Sequence, residues 1–213
     1  LQQQRSTPDL IAEALREAIL RGIFQDGQSL RQDEIAAQFG VSRIPVREAL
    51  RQLEAEGLVT LQLNRGATVA ALSPDEAQEI CEIRVALETT ALQLAIPKLQ
   101  VSDLEKAAVI LEATDQTIDA ARWAKLNWEF HATLYTPANR PRLLAMIKNL
   151  HVNIDRYVRL QIEKMNYQEK SQKEHYQLLD ACRQNDVKAA VKVLKRHIET
   201  AGEQLVSYLR GIE

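Results

Sequence analysis

The chain has 213 residues, 46% of them hydrophobic and 26% charged, a balance that excludes disordered and fibrous classes and leaves room for one large domain or two small ones. No apolar run approaches the ~20 residues that span a bilayer, and Leu1 to Arg5 has neither the charge nor the apolar core of a signal peptide, so a cytoplasmic location without a membrane partner is expected. The net charge is −2, so attraction to nucleic acid has to come from a few placed arginines; the two cysteines, Cys81 and Cys182, lack the CxxC spacing of a thiolate zinc site and are expected to be reduced.

Ser6-Thr7-Pro8-Asp9 opens the first predicted helix, with a hydroxyl to cap, a proline for the first turn and an acid for the positive helix end. Its apolar positions are Leu10, Ile11, Ala14, Leu15, Ala18 and Ile19, and it stops at Gly22. After the Asp26-Gly27 turn comes a short helix carrying Ile35, Ala36 and Phe39, closed by Gly40, and another begins at Ser42 and ends near Gly57. Leu58 to Leu63 and Ala67 to Leu72 then read as two strands flanking Asn64-Arg65-Gly66, a hairpin that makes a wing after a helix-turn-helix.

On the helix from Ser42, the residues Val46, Ala49, Leu50 and Leu53 share one arc, and Arg43, Arg47 and Arg51 share the next. One face packs while the other is basic, as a helix entering a major groove requires. Arginine suits bidentate contact with guanine or phosphate, and Ser42 at the helix start suits a phosphate. The candidate contacts to double-stranded operator DNA are Arg31, Ser42, Arg43, Pro45, Arg47, Arg51, Asn64, Arg65 and Gly66. The competing reading has these arginines solvating an exposed face and pairing with Glu48 and Glu54. Leu1 to Leu72 holds eight Arg and no Lys against nine Asp or Glu, a formal charge of −1 that favours neither reading. The order of elements, with arginine at two expected contact points, favours DNA.

Ser73-Pro74-Asp75 is a second stop-and-cap signal, which puts a domain boundary between 1–73 and 74–213. Beyond it the periodicity predicts helices at about 75–96, 102–119, 121–136, 140–165, 168–185 and 187–209, an antiparallel six-helix bundle. His131 falls on the stripe of Ala124, Trp128, Leu134 and Tyr135; His175 on that of Leu178, Leu179 and Cys182; His197 on that of Ala190, Leu194 and Ala201. Three of the four histidines therefore face inward on three helices, and neutral imidazole is the commonest metal ligand. His151 lies at the edge of its helix's stripe and is left outside the candidate site. Arg84 and Glu88, one turn apart, read on spacing alone as an ordinary i,i+4 ion pair.

Gly22 to Leu72, with Val41-Ser42-Arg43, Pro45-Val46-Arg47-Glu48-Ala49-Leu50, Glu56-Gly57-Leu58-Val59 and Arg65-Gly66-Ala67, resembles the winged helix of the GntR family of bacterial regulators. In that family arginines at the positions of Arg43 and Arg47 contact operator DNA; some members carry a further arginine where this chain has Asp33. Residues 75 to 210, with Glu82-Ile83-Arg84, Glu88 and Phe130-His131, are similar to the FadR-type effector domain called FCD, six helices being closer to the VanR-like branch. The resemblance implies a metal site of one Asp and three His. Here the Asp position is Asn127, and His131, His175 and His197 match the rest. It implies a divalent ion, Zn²⁺ or Ni²⁺, held more weakly for want of the acidic charge, and a small carboxylate effector that engages the ion with Arg84 nearby.

The expected protein is thus mainly α, a winged helix-turn-helix followed by a helical bundle, and a ligand-responsive transcriptional repressor rather than an enzyme. It is expected to act as a homodimer reading half-sites about one helical turn apart, or a multiple of it. A metal-dependent enzyme or a metal sensor is the rival for the helical part, and protein or RNA contact is the rival for the winged helix.

Overall fold

Hydrogen-bond capping marks where the chain enters its helices. The Ser6 hydroxyl accepts from the Asp9 amide while the Asp9 carboxylate accepts from the Ser6 amide, a reciprocal box that starts helix α1 (Thr7–Leu20). The computed structural model describes residues 6–62, 66–165 and 167–211, and the chain divides into two compact units, Leu1–Leu72 and Ser73–Glu213.

In the first unit, α1 packs on α3 (Arg43–Ala55), and α2 (Gln32–Phe39) joins α3 through a tight turn. That turn needs Gly40, whose φ of 65° lies in the left-handed region and lets the Val41 amide donate back to the Ala36 carbonyl at 3.0 Å. Ile11, Leu15 and Ile19 of α1 and Val46, Leu50 and Leu53 of α3 are all under 5% exposed, and each such side chain contributes about 1.5–3 kcal/mol of apolar burial. The face of α1 that packs is rotated from the expected stripe, leaving Leu10 half exposed and burying Ala12. Arg16 donates two hydrogen bonds, 2.7 and 2.5 Å, to the Glu56 carboxylate and ties α1 to the end of α3.

The wing is wider by one strand than the sequence suggests, and β3 takes in Gly66, which the sequence pattern places in the turn. Strands β2 (Val59–Gln62) and β3 (Gly66–Val69) pair antiparallel with Thr60 opposite Thr68, and β1 (Ser29–Leu30) adds to the other edge of β3 with Ser29 opposite Thr68. A two-residue strand carries no alternation to detect. The Ala70 amide still donates to the Leu58 carbonyl at 3.0 Å, and Ser73, whose hydroxyl accepts from the Glu76 amide, starts the second unit.

That unit comprises α4 (Pro74–Ala95), α5 (Val101–Asp115), α6 (Ala120–Tyr135), α7 (Pro141–Met165), α8 (Gln168–Arg183) and α9 (Val187–Arg210). The six-helix expectation holds. The largest shift in a boundary is at α5, which stops four residues short of the expected 119 because Asp119 turns its carboxylate to the Arg122 amide at 2.7 Å and caps α6 instead. Leu92, Leu111, Phe130, Leu134, Ile147, Leu179, Leu194 and Ile198 form the core, with α9 lying along α4 and α8 and α5 along α6. Both cysteines are free and buried, and no helix among the described residues is long and apolar enough to cross a membrane.

The approach of α9 to α4 is close enough to require glycine at position 202: a Cβ there would sit 2.6 Å from the Cys81 sulfur. Gly202→Ala is therefore expected to lower the stability of the chain by about 1–3 kcal/mol through overpacking, and Cys81→Ala to restore part of it in the double variant. Urea unfolding of the four proteins of this cycle checks both, and additive effects would contradict the contact.

Candidate functional site

The first candidate surface is the exposed face of α3. Val46, Ala49, Leu50 and Leu53 are fully buried, whereas Arg43, Arg47 and Arg51 are exposed and Pro45 is half-buried. Ser42 is the N-cap, in extended backbone, and its hydroxyl makes no capping bond. Arg43 is ion-paired with Asp33 of α2, and Arg31, at the N-cap of α2, pairs with Glu34 at 2.9 Å. Among the described residues Arg47 and Arg51 form no ion pair, and the expected alternative partner Glu54 accepts from the Leu61 amide. Asn64 and Arg65 lie outside the described residues; Gly66 opens β3 with a φ of 83°.

The second is in the helical unit. His131 of α6, His175 of α8 and His197 of α9 each offer a ring nitrogen within 4.8 Å of the others', and all three are buried. Each ring's Nδ1 is already engaged. The His197 Nδ1–H donates to the Glu174 carboxylate at 2.9 Å. The His175 Nδ1–H donates to the Gln172 Oε1 at 3.2 Å, and the Gln172 amide is held the right way round because its NH₂ donates to the Leu111 carbonyl. The Tyr135 hydroxyl spends its one proton on the Glu88 carboxylate at 2.8 Å, so it accepts from the His131 Nδ1–H at 3.1 Å.

These partners engage the Nδ1 of all three rings, and in the neutral rings of His131 and His175 they leave Nε2 with a bare lone pair. The Nε2 atoms of His131 and His175 are buried with no partner, and so is the Oδ1 of Asn127, one turn before His131. Buried acceptors left without a donor are costly. A divalent cation among the three imidazoles would remove that cost at both nitrogens, so the histidine set fits such an ion.

Burial holds the pKa of His131 and His175 well below the ordinary imidazole value, and each is lowered further by the field of His197. Both rings are neutral at physiological pH, as ligation requires.

Beside the cluster runs a buried polar network. Arg84 donates through Nε to Glu88 at 2.7 Å, Nη2 of Arg84 lies 3.2 Å from the Nε2 of His151, and that nitrogen lies 3.1 Å from Glu88. The i,i+4 pair that the spacing suggested forms, but in the interior: Arg84 is 6% exposed and Glu88 is fully buried. Burial pushes the Glu88 carboxyl up, but Arg84 and His151 outweigh it and hold it well below the usual carboxylate range. His151, left out on periodicity, is buried against Trp128 with ring centroids 4.6 Å apart and lies 6.1 Å from His131. Tyr135, Gln172 and Glu174 were also missed. The Glu174-His175 pair on α8 was the one available signal, since an acid next to an inward histidine reaches the neighbouring helix.

The chain matches the family model of bacterial regulatory proteins, gntR family, over residues 8–69 and the FCD domain over residues 79–200. It is 32% identical over 143 residues to the HTH-type transcriptional regulator YdhC of Bacillus subtilis (strain 168), covering 65% of this chain and 63% of that protein. It is 30% identical to the gluconate operon transcriptional repressor of Bacillus licheniformis, covering 73% of this chain and 65% of that protein. A crystal structure of a GntR family member from Pseudomonas syringae pv. tomato str. DC3000 aligns with a TM-score of 0.61 at 37% identity, over 96% of this chain and 86% of that one.

The neutral histidines carry a pH signature. Burial depresses the folded pKa of His131, His175 and His151, so these rings stay neutral in the fold while they protonate near 6.5 once the chain unfolds. The unfolded state then binds more protons, and stability is present in full above the unfolded value and falls as pH drops below it, at up to about 1.4 kcal/mol per pH unit for each ring. Urea midpoints of metal-free protein are expected to be clearly lower at pH 5.5 than at pH 7.5. Equal midpoints would contradict the buried neutral state.

Proposed function

We propose that this chain, which belongs to the GntR family of DNA-binding bacterial regulators and carries an FCD domain, is a repressor whose DNA release is controlled by a small carboxylate bound beside a metal ion. The observation that carries the reading is the convergence of three histidines with every Nδ1 engaged and the Nε2 side left for a ligand. Asn127, His131, His175 and His197 would hold the ion, Zn²⁺ or Ni²⁺, and the ion would supply a Lewis-acid anchor for a carboxylate.

Arg84 is the second anchor in this reading. Its guanidinium already binds one carboxylate, Glu88, in a dry setting, and an incoming acid competes for the same donors. His151 and Glu88 fix the guanidinium in place. Residues 74–213 form the effector-binding and dimerisation domain, and residues 1–73 the DNA-binding domain. There Arg47 and Arg51 reach base edges and phosphates, with Arg31, Ser42, Arg43, Pro45 and the wing residues Asn64, Arg65 and Gly66 alongside. Asp33 holds Arg43, so Arg43 has to exchange that partner for DNA. Two copies of the head read a pseudo-palindromic operator. The effector acts only by binding one of two arrangements of the dimer better than the other. The repressor assignment is supported by the B. licheniformis relative, a repressor of the gluconate operon.

Protein purified without chelators or a nickel column is expected to carry about one divalent ion per chain by elemental analysis; no stoichiometric ion would contradict the reading. Arg47→Ala is expected to cost about 1–3 kcal/mol in binding to an operator selected in vitro, at constant salt and with unchanged circular dichroism. Unchanged affinity would remove α3 from the interface. His175→Ala is expected to bind that operator as the parent does and to lose its response to effector, a pattern that an unconnected helical domain would not give.

A further inference from the structure

The candidate ligand set has no charge of its own. Asn127 and three neutral imidazoles would leave a divalent ion with its full +2 in a dry interior, which is a large desolvation cost unless a negative group stands close by. Two buried carboxylates lie one link away from a histidine of the cluster. Glu88 reaches His131 through the Tyr135 hydroxyl, but its charge is matched by the Arg84 guanidinium at 2.7 Å. Glu174 touches His197 directly at 2.9 Å, with 8% of its side chain exposed. Arg196 and Lys170 act on Glu174 at longer range, but neither forms an ion pair with it: Arg196 donates to Gln177 at 2.9 Å, and the Lys170 ammonium lies over the Tyr167 ring.

We propose that Glu174 is the carboxylate that charges this centre, acting through His197. Resting on the metal-binding reading above, it identifies the residue that sets how tightly the ion is held. The carboxylate accepts the Nδ1–H of His197, draws that proton toward itself and makes the opposite nitrogen a stronger donor to a cation. It does from outside the ligand set what an acid at position 127 would do from within. Its place next to His175 lets one turn of α8 supply both a ligand and the partner of another ligand: His175 points into the cluster and Glu174 across to α9. Glu174 is a positioning residue, since it does not itself reach the cluster centre.

The test is competitive titration of the full-length, metal-free protein with Zn²⁺ and with Co²⁺ at one pH. Glu174→Gln keeps an oxygen to accept from His197 and loses only the charge. It is expected to bind both ions about 10- to 100-fold more weakly while its metal-free melting temperature stays that of the parent. Glu174→Asp keeps the charge on a shorter arm and is expected to fall between the two. Asn127→Asp should bind more tightly than the parent and should restore affinity to the Glu174→Gln chain. If the parent binds Zn²⁺ and Glu174→Gln binds it equally well, the role of Glu174 is overturned and the metal centre stands. If Glu174→Asp binds no better than Glu174→Gln, charge is not the operative property and the proposal also fails. If neither the parent nor Asn127→Asp binds either ion, the metal reading falls and takes the proposal with it.

Discussion

Three converging histidines, two of them with a buried Nε2 that has no partner, are the constraint on which the helical unit turns. Each Nε2 is aimed by a hydrogen bond made on the far side of its ring, to Tyr135, Gln172 and Glu174 in turn. Those three partners belong to the same two helices, α6 and α8, that carry His131 and His175, so the cluster is braced largely from within its own elements. Apolar packing around it, from Phe130, Leu134, Leu178 and Leu194, excludes the water that would otherwise satisfy the nitrogens. The same dryness keeps His131 and His175 neutral. A cluster of this kind is destabilising by itself, and a cation is the species that turns the repulsion into a bond.

The network of Arg84, Glu88, Tyr135, His151 and His131 gives the site a second property. It is a continuous run of polar contacts from a guanidinium to a candidate ligand, buried throughout. A buried ion pair contributes little net stability compared with well-packed apolar groups, and removing one partner is expensive. Retaining it therefore makes physical sense where one partner has work to do. Glu88 and Glu174 divide the electrostatics: one is neutralised by Arg84, the other is left to act on His197.

The DNA-facing unit works under the opposite condition. Its arginines are exposed and its overall charge is acidic, so affinity depends on placement rather than on a general field. Four buried side chains of α3 hold that helix on α1 and leave Arg47 and Arg51 free of acidic partners among the described residues. The pairing of Arg43 with Asp33 reduces the number of uncommitted cations on this face.

Local chemistry was legible in the sequence. Ser6 and Ser73 announce helix starts because a short polar side chain before an apolar period has few other uses, and Val46, Ala49, Leu50 and Leu53 mark the packed face of α3 because their spacing repeats with the helix. The inward direction of His131, His175 and His197 followed from the same periodicity. What the sequence alone left undecided lies between elements. Spacing could not tell that the Arg84–Glu88 pair is buried, that His151 at a stripe's edge is enclosed by Trp128, or that β1 joins the wing. Glu88 meets Tyr135 and Glu174 meets His197 across gaps of 47 and 23 residues, and no local period encodes such meetings. The sequence by itself determined which side chains point inward; only the tertiary structure decided which of them meet, because burial and pairing at a helix's edge depend on the neighbouring helix.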